Sequence, residues 1–437
     1  MSRSAAHSSI ASRTCSSSAR MLACLTALLS CPLAFSQDCG WVEVPAAWDP
    51  FDRYDHAMAY DAARERVLLF GGVDEQTIHD ETWEWDGARW HLRAQGVPHS
   101  RTGPAMVYDS ARGVCVMFGG WNSEDFYGDT WEWDGSTWTQ VSTFGPEPRA
   151  WCAMAYDSVR SRVVLHGGYD LNRHFGDTWE WDGSEWTQVS DSGPSPRSHH
   201  AMAFDAVRNV CVLVGGSGPS NSYPGGTWVW DGQSWLRKND MMNRAGMALA
   251  FDERRGCVLL YGGHVSVNRF GDTWRWDGET WILETVDGPR PRTRAAMAYD
   301  RARSEVVLYG GLDGRQPWTE PFRDTWLHEC GTRPRLAVSS SCPEAGSVHV
   351  TWRNATPNGT IALVHGRQFD RFVVPPTRSC SGTILGLSEG VRTLVWRASD
   401  EKGGGSIMGT AAPSDCGTYL QLVDLSTCYT SNVVEIE

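Results

Sequence analysis

The sequence predicts an all-β chain in which six copies of a four-stranded sheet stack round an axis and a smaller all-β region follows. Three observations carry this. The phrase Gly128-Asp-Thr-Trp-Glu-Trp-Asp-Gly-Ser-Thr-Trp138 returns, with close copies starting at Thr82, Thr178, Thr227 and Thr273 and a clipped one, Asp324–Cys330, at the end. Gly-Gly doublets begin at 71, 119, 167, 215, 262 and 310, in steps of 48, 48, 48, 47 and 48 residues, a period at which each repeat is one supersecondary unit. Within the phrase the tryptophans recur at period two, which puts them on one face of a strand.

The first repeat shows the elements in order. Ala57–Tyr60 reads as the first strand and Asp61-Ala-Ala-Arg64 as its turn. Val67–Phe70 reads as the second strand, ended by Gly71-Gly72, and Thr82–Trp85 as the third. Asp86-Gly87 reads as a tight hairpin turn with both residues at positive φ, and Trp90 opens the fourth strand. One such sheet cannot bury its apolar faces alone. Six stacked in a ring can, and closure leaves few exposed edges. After Gly331 the Trp phrases and Gly-Gly doublets stop. Short alternating strands then run at Ser347–Trp352, Thr360–His365, Arg371–Val374, Thr383–Leu387, Arg392–Arg397, Gly417–Asp424 and Asn432–Ile436. They suggest a small β-sandwich, with Cys342–Cys380 and Cys416–Cys428 the simplest of the three pairings open to four cysteines.

The Gly-Gly doublet, the Asp-Thr-Trp that follows and the later Trp resemble the Kelch family, six times over between residues 41 and 330. The resemblance implies a six-bladed β-propeller whose first strands line the central channel. It implies little about activity, because one such fold hosts many unrelated roles. The expected organisation is a leader at 1–36, a propeller at 37–331 and a sandwich at 332–437.

The chain has 437 residues and a formal net charge of −13, which gives no reason to expect a nucleic-acid partner. Arg3, Arg13 and Arg20 precede the apolar run from Met21 to Leu29, and Ala34-Phe-Ser36 offers a small-residue cleavage site. This is the pattern of a signal peptide, and the run is too short to span a bilayer. Leu28-Leu-Ser-Cys31 gives a lipoprotein alternative. We expect a monomeric protein that is secreted, or held in a periplasm or at a cell surface, with no membrane span. Asn354-Ala-Thr and Asn358-Gly-Thr match the glycosylation triplet. Removal of the leader cuts thirteen cysteines to ten. Cys115, Cys211 and Cys257 fall in second strands and Cys152 at a first strand, where buried thiols are expected. Cys39, Cys330, Cys342, Cys380, Cys416 and Cys428 flank turns and suit three bridges in an exported protein.

The ring has a gap. Five repeats own a complete third and fourth strand, whereas the sixth stops at Cys330. The spare strand is at the N-terminus, around Trp41. Superposing the clipped copy on the first repeat sets Cys330 on Gly87, and setting Trp41 on Trp90 puts Cys39 on Ala88. Chain neighbours have Cα atoms about 3.8 Å apart, close to the roughly 4.4–6.8 Å of a disulfide. Trp41–Val44 is therefore predicted to be the outer strand of the sixth blade, tied shut by Cys39–Cys330.

A residue present in every blade is demanded by the blade, and one that differs is free to serve a ligand. Arg53, Arg101, Arg149, Arg197, Arg244 and Arg292 share one position. They read as structural, bonded to carbonyls or to a carboxylate of a neighbouring blade, rather than as an anion funnel. Arg64, Arg112, Arg160, Arg208, Arg255 and Arg303 close Asp-x-x-Arg turns. Antiparallel order puts the uniform turns on one side of the ring. The variable loops after strands two and four lie on the other, where the strand 4–1 loops supply Tyr54, Asp55, Trp151, His199, His200 and Arg294. The ligand-binding candidates are Trp121, Tyr127, Trp151, Tyr169, Arg173, His174, His199, His264, Arg315 and Trp318, aromatic and cationic groups typical of recognition surfaces.

Galactose oxidase shares the Kelch propeller, but convergent His and Tyr copper ligands are not evident here. His199 and His200 are adjacent and so point to opposite faces of a strand, and His56, His200 and His264 are spread over three blades. Asp134-Gly-Ser-Thr-Trp138 is one residue too short to match the sialidase Asp-box. No phosphate loop, nucleophile elbow or zinc-protease motif is present. We expect no cofactor, no resident metal and no catalytic group. The expected function is a non-catalytic binding scaffold for a protein or glycan, the alternative being a secreted carbohydrate-active oxidase or hydrolase using the same face.

Overall fold

Six four-stranded antiparallel sheets are arranged as the blades of a propeller, with inner strands Ala57–Asp61, Ala105–Asp109, Ala153–Asp157, Ala201–Asp205, Ala248–Asp252 and Ala296–Asp300. Each inner strand touches the next, and the last touches the first. The computed structural model describes residues 39–44, 50–313 and 321–330 in full, and beyond them the backbone of nine strands between 335 and 435. The expected leader, the glycosylation triplets, Cys342, Cys380, Cys416, Cys428, Arg315 and Trp318 lie outside the described residues.

Among the described residues the core consists of six slabs, each between two blades. Ala57, Ala59, Leu68 and Phe70 of blade 1 meet Met106, Cys115, Met117, Trp133 and Trp138 of blade 2 in one of them. The alternation of small inner-strand residues with bulky tryptophans farther out fits the taper of a wedge. The fourth-strand tryptophan of each blade also donates its indole N–H to the third-strand threonine of the preceding blade. The pairs are Trp138–Thr82, Trp186–Thr130, Trp235–Thr178, Trp281–Thr227 and Trp90–Thr325, at 2.7–2.9 Å.

The sixth pair is Trp41–Thr273, at 2.7 Å. Cys39–Val44 is the outer strand of the sixth blade, pairing with Thr325–Cys330 so that Trp41 faces His328 and Cys39 faces Cys330. Those two cysteines are joined, with Cα atoms 4.0 Å apart across 291 residues of chain. Cys115, Cys152, Cys211 and Cys257 are buried free thiols.

Each recurring arginine staples two blades. The backbone of Arg101 bonds His79 and Gly72 of blade 1. Its buried guanidinium bonds the Gly119 carbonyl at 2.9 Å and Asp129 at 2.7 Å in blade 2, under the ring of Tyr127. Arg149, Arg244 and Arg292 repeat this beneath Phe175, Phe270 and Phe322. In blade 4 no carboxylate is supplied. Arg197 bonds the Gly215 and Pro224 carbonyls instead, and burial pushes its pKa down to about 10. The Asp-x-x-Arg turns are closed by ion pairs such as Arg160–Asp157, at 2.7 Å.

Two expectations are corrected. The Asp-Gly connection is a four-residue loop, because Trp85 pairs directly with Trp90. Gly87 alone takes a positive φ, and the Asp86 carboxylate accepts the Ala88 and Arg89 N–H groups. Glycine suits that φ of 95°, and the Arg303 guanidinium also lies where a Cβ would stand. Beyond the ring, strands Arg335–Ser339 and Gly405–Ala411 join those expected, in antiparallel sheets of three, four and two strands. Gly405–Ala411 carries two glycines, a residue depleted in strands.

Candidate functional site at the axial mouth

Two residues beyond each recurring arginine the chain turns left-handed and meets its counterparts at the axis. Asp55, Gly103, Trp151, His199, Gly246 and Arg294 have φ of 51–66°. Each donates its backbone N–H to the carbonyl of the residue before it in the ring, at 2.7–3.0 Å, with Asp55 bonding Arg294 to complete the circle. Non-glycine residues avoid this conformation, and here six inter-blade hydrogen bonds hold it. The ring fixes the backbone and leaves the side chains to vary.

Those side chains divide the mouth. On one side Arg294 pairs with Asp55 at 3.3 Å. On the other, Trp151 lies over Gly103, whose Cβ, if present, would meet the indole at 2.6 Å. Trp151 stacks on His199 with ring centroids 5.1 Å apart and planes 17° apart. The residue after each Gly-Gly doublet forms a bridge beside the ring, which brings in Trp121, Tyr169 and His264. Trp151 thus touches Trp121 at 6.1 Å, Phe126 at 6.3 Å and Tyr169 at 6.5 Å, and Tyr169 touches His174 at 4.6 Å.

Five sequence candidates therefore meet in one cluster: Trp121, Trp151, Tyr169, His174 and His199. His264 lies farther round, bonded through Nδ1 to Thr293 at 2.8 Å and set edge-on to Tyr223. Tyr127 lies over Arg101 and accepts a bond from Asn122. Arg173 pairs with Glu147 at the exposed loop tip. Phe126, Tyr223 and Arg269 join the mouth without having been singled out from the sequence.

The imidazoles are held neutral. Burial, reinforced by the Arg294 charge, drives the His199 pKa well below its ordinary value. Burial with Arg269 and Arg294 lowers that of His264 to about 4. Burial raises the Asp55 pKa, and Arg294 offsets part of the rise. His199 Nε2 and Trp121 Nε1 are buried without a hydrogen-bond partner among the described residues. Such orphaned groups are costly unless something else satisfies them. The mouth therefore offers flat aromatic faces, neutral hydrogen-bonding imidazoles and one ion pair between neighbouring ring positions.

The opposite end of the ring is uniform. There the arginines of five Asp-x-x-Arg turns, all but Arg255, cover the Asp-Gly loop of the next blade, as Arg64 does at Asp134-Gly135. Among the described residues no helix is long and apolar enough to cross a membrane.

A family model described as the KLHDC2/KLHL20/DRC7 Kelch-repeats domain matches residues 36–216. Among solved structures, that of YjhT superposes with a TM-score of 0.51 at 12% sequence identity, covering 65% of this chain and 96% of that one. This is a likeness of fold. No curated protein matches the chain.

Proposed function

We propose that this chain, a Kelch-repeat β-propeller, is an exported, non-catalytic scaffold that receives a protein partner at its axial mouth. The observation that carries the reading is the cluster of Phe126, Trp121, Trp151, Tyr169, His174 and His199, six rings drawn from three blades. Kelch propellers generally bind proteins, and large aromatic side chains near the centre of an interface supply most of its energy. The stacked pairs Trp121–Phe126 and Trp151–His199 favour a second reading, in which flat faces receive the rings of a glycan. Export is supported by the composition of residues 1–36 and by the Cys39–Cys330 bridge, which suits an oxidising compartment.

The test is a peptide-display screen and a glycan array, each run with the parent chain. Binders from the screen are then titrated into Trp121→Ala and into Val159→Asp, whose residue is exposed on the opposite, uniform end. Trp121→Ala should weaken binding by about 2 kcal/mol or more and Val159→Asp should leave it unchanged. Equal losses in the two would refute the face assignment, and turnover of an array sugar would favour the enzyme alternative.

A further inference from the structure

The cross-link that closes the ring sits in a cluster of ligating side chains that no other blade possesses. Glu284 offers an oxygen, and it and the sulfurs of Cys39 and Cys330 all lie within 4.8 Å of one another. His328 stands outside that group but beside it, with its Nε2 3.0 Å from Glu284 Oε1, and both side chains are nearly buried. The repeat shows how local this is. His328 stands where the other blades carry Trp85, Trp133, Trp181, Trp230 and Trp276. Glu284 stands where they carry Arg93, Val141, Val189 and Lys238. Arg255 does not cover an Asp-Gly loop as its counterparts do. Its Nη1 approaches Cys39 Sγ at 3.0 Å and Cys330 Sγ at 2.7 Å, and its guanidinium grips Glu284 at 2.6–2.8 Å.

We propose that, once the disulfide is reduced, Cys39, Cys330, Glu284 and His328 form a zinc-type metal site that keeps the sixth blade closed. Two thiolates, one carboxylate and one imidazole are a borderline-soft, four-donor set of the kind zinc selects. Charge also balances. The two thiolates and Glu284 carry three negative charges, and zinc with Arg255 carries three positive. The Arg255 N–H donors already point at both sulfurs. In the reaction a thiol reductant gives two electrons and two protons to the S–S bond and leaves as its own disulfide. Zinc then displaces the two protons from Cys39 and Cys330. The strand Cys39–Val44 is thus clasped covalently under oxidising conditions and by metal under reducing ones.

The test uses the full chain, reduced anaerobically with a phosphine and titrated with zinc and with cobalt(II). Its comparators are Cys39→Ser/Cys330→Ser and His328→Trp. The second restores the residue of the other five blades and keeps the disulfide, so it can be purified oxidised even if the serine variant folds poorly. The parent is expected to bind one equivalent of zinc more than the serine variant. Its cobalt adduct should show thiolate charge-transfer absorption, and His328→Trp should weaken that equivalent by about tenfold or more. Equal zinc content in parent and serine variant, or a cobalt spectrum and affinity untouched by His328→Trp, would overturn the proposal.

Discussion

Breaking the clasp should cost the ring more than any single surface contact. Replacing Cys39 and Cys330 by Ser opens a loop of 291 residues. The loop-entropy model puts the gain from such a closure at about 5–6 kcal/mol, with measured values often lower. Without the bridge the Cys39–Val44 strand is held by its backbone ladder, by Trp41 in the slab between blades 5 and 6, and by the Trp41–Thr273 bond. The serine variant should therefore still fold, but lose about 3–6 kcal/mol of unfolding free energy. Urea unfolding of the oxidised full chain, followed by tryptophan fluorescence, reads this directly. The reduced, chelator-treated parent should unfold with the serine variant. Trp41→Phe, which keeps the bridge but orphans the Thr273 hydroxyl, should lose about 1–3 kcal/mol. If the serine variant unfolds at the same urea concentration as the oxidised parent, the N-terminal strand does not close the ring in the way described.

Two further outcomes follow from the core. Burial lowers the pKa of His166 to about 3. The unfolded chain therefore takes up its proton near pH 6.5 while the folded chain does not, and stability falls as the pH drops from 6.5 towards 3. Phe70 and Phe118 occupy the same position in blades 1 and 2. His166→Phe should thus fold, and should shrink the stability difference between pH 7 and pH 5 by about 2 kcal/mol; an unchanged difference in urea titrations would show that His166 is not held neutral. Arg149→Met removes a fully buried guanidinium from Asp177 and the Gly167 carbonyl. It should cost about 3 kcal/mol by leaving a half-buried carboxylate unpaired, and adding Asp177→Asn should restore part of that loss in a double-mutant cycle.

The repeat made most of the fold legible. A period fixed by glycine doublets and tryptophans sets the strand count, and the clipped sixth copy with a spare Trp41 locates the closure. The axial ring was harder to see. Asp55, Trp151, His199 and Arg294 differ in chemistry and give no local sign of a left-handed backbone, because that conformation is imposed by hydrogen bonds between blades far apart in sequence. Gly103 and Gly246 at the matching positions were the available signal. Tyr127 shows the opposite effect. Read alone it is a free aromatic, but it shares its column with Phe175, Phe270 and Phe322, each laid over a buried arginine. The Asp-Gly pair indicated a turn but not its length, since the Asp carboxylate caps a four-residue loop as readily as a two-residue one.

The most direct test of the functional reading is the indole N–H spectrum of the tryptophan-labelled full chain during titration with a ligand taken from the peptide or glycan screen. Trp121→Ala and Trp151→Gly assign the two resonances of interest, and the second suits the backbone because Gly103 and Gly246 already occupy its position in the ring. If the axial mouth receives the ligand, the Trp121 and Trp151 signals move together with the binding curve and Trp151→Gly weakens that curve. Saturating ligand that leaves both signals in place would contradict it.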